Sequence, residues 1–307
     1  MAESCANCGA PLNGRYCSRC GQDSHGHRLP FRALIADAAD QFFSLDGRTM
    51  HTMVLLVCAP GELTRDYIAG RHQPYVPALR LYLFITVAFF VALSTLGIAL
   101  LQFVPFDPKT DAAAPSVSVS NEVAGTVGAR IILFRPYVHV TLNDQQRAAL
   151  RRMQANLEAQ TVTSAAIGDR VLRVLRRAYA DSETFNADIQ TLVARFLLLM
   201  MPLFALMTAA LRPGRFLLVD HLIFALHFHS FVFIVLAGAV ALTALALGHW
   251  VLWLALAALA VYLFAALRRA YGLSLVGTAW RAAALFVVYI VAALNGVETL
   301  ILMTMGS

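Results

Sequence analysis

The apolar positions of this chain fall into a few long blocks separated by short charged stretches. Leu81 to Val104 is 24 residues without Asp, Glu, Lys or Arg. A helix crossing the ~30 Å hydrocarbon core needs about 20 such residues, so the block predicts a first transmembrane span over 81–104. Phe196 to Leu211 is a shorter uncharged run of 16 with Pro202 inside it. Ile189, Leu192 and Val193 face one way and lengthen it; Pro is tolerated in a membrane helix, usually with a kink. Leu222 to Leu267 is uncharged for 46 residues. One helix of that length would measure roughly 70 Å, so the block must fold back. Gly248-His249-Trp250 is the polar, flexible break near its middle. A last block runs from Ala282 to Ser307, interrupted by Glu298. The pattern predicts an all-α transmembrane helix bundle of about five spans, with spans two to five inside 191–307.

The stretches outside the spans carry weaker periodicities. Phe31, Leu34, Ile35, Ala38, Phe42 and Leu45 stand at helical spacing, with Asp37, Asp40 and Asp46 on much of the remaining surface. A second apolar patch, Met50 to Cys58, stops at Pro60-Gly61. Helices just ahead of a first span commonly lie in the membrane interface; packing on the membrane domain's own cytosolic face is the equal alternative. Residues 23–80 therefore read as a cytosolic linker followed by interfacial helices. Residues 105–190 read as an extracytoplasmic segment, partly helical. Within it, 105–128 is a Pro-, Ala-, Ser- and Val-rich linker, Ile131 to Leu142 alternates loosely like a strand, and Asp144 to Tyr179 is helical in pattern. The polar face of that helix is basic, with Arg147, Arg151, Arg152, Arg170, Arg173, Arg176 and Arg177. Such a face either touches anionic headgroups or is simply solvated.

Composition agrees with this pattern. With 59% hydrophobic and 14% charged residues, the chain is neither a soluble globular domain nor a disordered one. Its net charge of +6 informs topology before it suggests nucleic acid. Arg48, Arg65, Arg71 and Arg80 precede span one, Arg212 and Arg215 lie between spans two and three, and Arg268, Arg269 and Arg281 lie between spans four and five. The turn between spans three and four has no Arg or Lys. The positive-inside rule then places the N-terminus in the cytosol and the C-terminus outside. Residues 105–195 carry 11 basic residues, yet segments longer than about 60 residues cross largely regardless of charge. No signal peptide is read, because Met1 is followed by Cys and polar residues rather than an apolar core; span one is expected to start insertion. The spans show no internal repeat, so an inverted-repeat transporter has no support in the sequence.

Four of the five cysteines lie within the first 20 residues. The spacing is Cys5-x2-Cys8, eight residues, then Cys17-x2-Cys20. Two such knuckles suit a tetrahedral Zn²⁺ ion, since each presents two thiolates on a tight turn. Gly9 and Gly21 follow the second Cys of each pair, where a small residue lets backbone N–H groups approach the sulfurs. Asn13-Gly14 between the knuckles is a type I′ hairpin signal that would fold one onto the other, giving a small zinc ribbon over 1–22 of β-hairpin type. Some 20 residues bury little core, so the metal would supply the folding energy. Two disulfides are the rival reading, disfavoured by a cytosolic N-terminus. Four Cys ligands leave no open position, which points to a structural rather than a catalytic metal. Residues 1–80 hold eight Arg against seven Asp or Glu, a poor footprint for phosphates, so no nucleic-acid partner is expected. A cytosolic protein partner or a stabilising role for the ribbon is the expectation, alongside contact with membrane lipid. Cys58, alone in an apolar stretch, reads as a small core residue.

Ionisable groups inside spans are costly and therefore functional candidates. Asp220 and His221 sit at the cytosolic mouth of span three, with His227 and His229 deeper. Asp220 and His227, seven residues apart, share a helix face, whereas His229 points almost opposite to His227. One helix therefore cannot bring both imidazoles to one ion. A proton relay or cation site completed by neighbouring helices stands against a set of interhelical hydrogen bonds. Glu298, with Asn295 nearby, is either a transport carboxylate or a group snorkelling to the outer interface. No Ser-His-Asp set, phosphate loop or HExxH motif appears, and no catalytic residue is nominated.

Several stretches together resemble a bacterial membrane-protein family catalogued as domain of unknown function 3667. They are Cys20-Gly21-Gln22 with the double knuckle, His27-Arg28, Phe43 to Thr49, Pro60-Gly61, Tyr67 to Arg71, Tyr75-Val76-Pro77, Arg80 to Phe84, and Asp220 to His229. Gly70-Arg71-His72 is a small departure, since the family often has Lys or Arg before that Arg. The resemblance implies a multipass inner-membrane protein with a cytosolic zinc ribbon, and it implies no activity. The favoured function is a non-enzymatic membrane scaffold or adaptor. The alternatives are a small ion-coupled transporter lined by Asp220, His221, His227 and Glu298, and a membrane enzyme or haem-binding protein using His227 or His229.

Overall fold

The computed structural model describes residues 4–23, 47–106, 117–119, 127–137, 181–211, 216–244 and 250–303, together with 148 and 177. Helix α1 is Gly47–Cys58, α2 is Glu62–Ile68 and α3 is Ala78–Thr95. Strands β1 (Ile98–Phe106), β2 (Val117–Val119) and β3 (Val127–Pro136) follow. Helices α4 (Ser182–Leu211), α5 (Leu218–Ala244), α6 (Trp250–Tyr271) and α7 (Leu275–Met303) complete the described elements. Among the described residues, five helices are long and apolar enough to cross a membrane: α3, α4, α5, α6 and α7. They correspond one to one with the expected spans. The expected helix over 31–45, all of that over 144–179 except 148 and 177, and the turn at Gly248-His249 lie outside the described residues.

The chain divides into two compact units, Met1–Ala92 with Leu199–Val291, and Leu93–Leu198 with Ala292–Ser307. In the first unit α5 is the most enclosed span. Its Phe224, Phe228 and Phe231 pack with Phe204 of α4, Tyr262, Leu263 and Tyr271 of α6, and Leu285 of α7. Phe231 stacks on Tyr262 with ring centroids 3.6 Å apart, and Phe204 stacks on Phe228 at 4.8 Å. Aromatic pairs of this kind add to area burial. Helices α1 and α2 pack on the α5–α6 pair. The close seat is made at Gly61, where φ is +80° and a Cβ would stand 2.5 Å from the Ala266 carbonyl oxygen. Only glycine meets both demands. Thr52 and Leu56 form the buried face of α1, while Cys58 is exposed rather than in the core as its apolar neighbours implied.

In the second unit the structure departs from the sequence expectation. The first span stops at Thr95, not Val104. Gly97, in the left-handed region at φ +61°, ends the helix, and β1 begins at Ile98. An uncharged run satisfies a strand as well as a helix, and hydropathy does not distinguish them. The stretch expected to be a linker, 105–128, contributes to an antiparallel sheet ordered β1-β3-β2. Ile98 pairs with Pro136, Phe106 with Gly128, and Val117 with Ala129. The expected strand at 131–142 is thus present but begins earlier, at Val127. The outer edge of β1 is closed by two amide side chains of α4. Asn186 accepts from the Phe103 N–H (2.7 Å) and donates to its carbonyl (3.0 Å); Gln190 accepts from Leu100 (3.3 Å) and donates to Leu101 (2.7 Å). Amides in this arrangement stand in for a neighbouring strand on an edge that no described strand pairs.

Candidate metal centre and intramembrane polar network

The two knuckles repeat one geometry at an offset of twelve residues. The Gly9 N–H donates to the Cys5 carbonyl and the Cys5 N–H to the Ala10 carbonyl; the Gly21 N–H donates to Cys17 and the Cys17 N–H to Gln22, all at 2.8–2.9 Å. Gly9 and Gly21 sit at φ +73° and +75°, which explains why glycine follows each second cysteine. Single antiparallel bridges, Ser4 with Pro11 and Tyr16 with Asp23, close each loop. The expected type I′ hairpin at Asn13-Gly14 does not form. That turn needs positive φ at both central residues, and Gly14 is not among the positive-φ glycines. The knuckles meet through their sulfurs instead.

Cys5 Sγ lies 3.6 Å from Cys20 Sγ, and Cys8 Sγ lies 3.6 Å from Cys17 Sγ. All four sulfurs fall within 4.8 Å of one another, and the four could hold a metal ion. Around a tetrahedral ion with metal–sulfur bonds of ~2.3 Å, sulfurs stand about 3.8 Å apart, so the spacing fits. The thiols are unevenly poised. The Asn7 side chain and then the Gln22 backbone draw Cys20 down to about 6. Cys8 has a backbone hydrogen bond from Ala10 that lowers it, but burial and the neighbouring thiols carry it up to about 11. Four sulfurs this close cannot all be ionised unless a cation shares the charge.

The cysteine module is docked rather than dangling. Gln22, buried, donates to the Gly70 carbonyl at 2.6 Å and accepts from the His72 N–H at 3.4 Å. The receiving turn is braced by Asp66, whose carboxylate accepts from Arg71 and from the Tyr75 hydroxyl (2.7 Å). Burial alone would raise the Asp66 pKa, but those two hydrogen bonds and the Arg71 charge hold it below the usual carboxylate value. Burial and then the Asp66 carboxylate push Tyr75 up to about 12.

The four polar residues expected on span three all lie on α5 and are all buried, but they form separate contacts. Asp220 is a helix cap: its carboxylate accepts from the Leu217 N–H at 2.9 Å, the third-position half of a capping box. His221 bonds the Tyr271 hydroxyl of α6 (2.9 Å), and His227 bonds Thr64 of α2 (2.9 Å). His229 bonds the Ala225 carbonyl through Nδ1 (2.8 Å) and the Tyr289 hydroxyl of α7 through Nε2 (2.8 Å). A carbonyl only accepts, so Nδ1 carries the proton and Nε2 accepts from Tyr289. Each histidine thus ties α5 to a different neighbour. Glu298 lies in α7 within the second unit, with its side chain outside the described residues. Among the described residues, only the four cysteines form a metal-capable cluster. Gln22, Thr64, Tyr271 and Tyr289 went unassigned in the sequence. The one signal for them is that Gln22 follows the second knuckle directly.

A family model described as Protein of unknown function (DUF3667) matches residues 46–90. The match runs through α1, α2 and the Gly70–Pro77 turn into α3; the cysteine module and α5 lie outside it. No curated protein and no solved structure matches the chain.

Proposed function

We propose that this chain is a non-enzymatic scaffold of the bacterial inner membrane whose N-terminal module is a structural zinc ribbon presented to a cytosolic protein partner. The observation that carries the reading is the docking of the four-cysteine module, through buried Gln22, onto the turn at Gly70–His72. A ribbon held at a fixed place on a membrane domain presents a fixed surface, which is what an adaptor requires. An all-thiolate donor set favours zinc in a closed structural site, with no position left for a reacting group. The clustering of Arg268, Arg269 and Arg281 near one end of α6 and α7 supports an N-terminus in the cytosol and a C-terminus outside.

Transport or haem binding would draw on His221, His227 and His229. Nδ1 of His221 and of His227, and both ring nitrogens of His229, are engaged by Tyr271, Thr64, Ala225 and Tyr289, which favours a structural role for them. Capture of partners from native membranes tests the proposal. The expected result is a partner recovered with the intact chain and lost with Cys5→Ser, at one zinc per intact chain. Recovery independent of the cysteines, or purified protein without stoichiometric zinc, overturns it.

A further inference from the structure

Helix α6 carries its own depth scale. Trp250 and Trp253 are exposed at its start, and Arg268 and Arg269 close its last turn. From Trp250 to Arg269 the helix rises about 28 Å, close to the ~30 Å hydrocarbon core. Exposed tryptophans at one end and arginines at the other mark the two headgroup levels. On this scale Ala266 lies about 4 Å and Tyr262 about 10 Å inside the arginine level.

Helices α1 and α2 are fixed at those depths. Gly61, in the turn between them, seats its backbone against Ala266. Tyr262 donates its hydroxyl to the Leu56 carbonyl at 2.8 Å. The middle of α1 is tied to the approach to α3, where Thr52 accepts from the Val76 N–H two residues before α3 begins. The end of α1 and the turn after it, Val57-Cys58-Ala59-Pro60-Gly61, carry no charge. The first charge after it, Glu62, pairs with Arg65 and with Arg269 at the headgroup level. Opposite the packed face of α1, Met50, Val54 and Val57 form an apolar stripe, 69%, 51% and 44% exposed.

We propose that α1 and the turn before α2 form a re-entrant hairpin, entering the leaflet on the Arg269 side with Met50, Val54 and Val57 against lipid acyl chains. The occupant of the stripe is lipid because the packing contacts set the turn below the headgroups, where the surroundings of an exposed side chain are hydrocarbon. The hairpin tolerates that depth because its backbone is helical on both arms and its turn is packed on α6.

The proposal rests on α6 spanning the bilayer, and the test separates the two. Spin labels are placed singly at Met50→Cys, Val54→Cys, Val57→Cys and, as the reference, at the exposed mid-helix position Val261→Cys. Each is made in the Cys58→Ser background and reconstituted in phospholipid vesicles, with the labelled background subtracted. Collision rates with oxygen and with a water-soluble nickel chelate are compared. The expected result is an oxygen preference at Val261 and Val57 that falls from Val57 through Val54 to Met50. An oxygen preference at Val261 with a nickel preference at Val57 overturns the hairpin and leaves the membrane reading standing. Low accessibility of Val57 to both reagents also overturns it, since a protein surface would then cover the stripe. A nickel preference at Val261 overturns both readings.

Discussion

The Thr64 side-chain oxygen and Nδ1 of His227 lie 2.9 Å apart, both buried, joining α2 to α5 across 163 residues of sequence. This bond belongs to the seat of the pre-span helices on the membrane core, and removing one partner strands the other. Thr64→Val, nearly isosteric, is expected to cost about 1–3 kcal/mol by leaving a buried polar atom unsatisfied. Combining it with His227→Leu is expected to cost less than the sum, by about 0.5–3 kcal/mol of coupling. Reversible unfolding in detergent, followed by circular dichroism, measures the cycle; strict additivity would show that the two side chains do not interact.

Gly61 and Gly272 separate two costs of glycine replacement. Both have positive φ, but a Cβ at Gly272 meets nothing within 4 Å, whereas at Gly61 it meets the Ala266 backbone. Gly272→Ala is expected to lose about 1–2 kcal/mol from backbone strain alone. Gly61→Ala is expected to lose more and to lift α2 from α6, raising amide exchange along Glu62–Ile68. Equal losses at the two sites would place the whole effect in the backbone angle.

The Asp66 cluster makes stability depend on pH at both ends of the scale. The folded pKa of Asp66 is depressed, so its contribution is present above the ordinary carboxylate value of about 3.9 and is lost as pH falls through the folded value. Tyr75 is raised to about 12, so its contribution is complete below its ordinary value of about 10 and is lost as pH rises toward 12. Asp66→Asn is expected to flatten the acid limb of a Tm-against-pH curve, and Tyr75→Phe the alkaline limb. Unchanged limbs would remove these residues as the titrating groups.

Gln22→Ala is expected to keep the metal stoichiometry, because the four cysteines are intact, while freeing the module from Gly70 and His72. Elemental analysis together with protease sensitivity of the first 23 residues reads the two effects separately. Loss of metal in this variant would mean that docking and metal binding are one event.

Asn186→Ala is expected to cost about 1–3 kcal/mol and to accelerate exchange of the Phe103 amide, since that buried N–H loses the Asn186 acceptor. Gln190→Ala acts on a longer, partly buried contact and is expected to cost less.

Five spans, four clustered thiols and the glycines behind them were legible along the chain, because each is a local property. An apolar run of sufficient length must leave water, and two close thiol pairs on tight turns need little help to meet. The stop at Pro60-Gly61 was legible for the same reason, although the demand that Ala266 places on Gly61 was not. Tertiary structure decided what local patterns leave open. It assigned Ile98–Phe106 to a strand rather than to the end of a span, because β3 and the amides of α4 were there to satisfy its backbone. It gave His221, His227 and His229 partners on three separate helices, Tyr271 of α6, Thr64 of α2 and Tyr289 of α7. Hydropathy measures whether a segment leaves water, whereas a buried hydrogen bond depends on what stands opposite, and those partners lie scores of residues away.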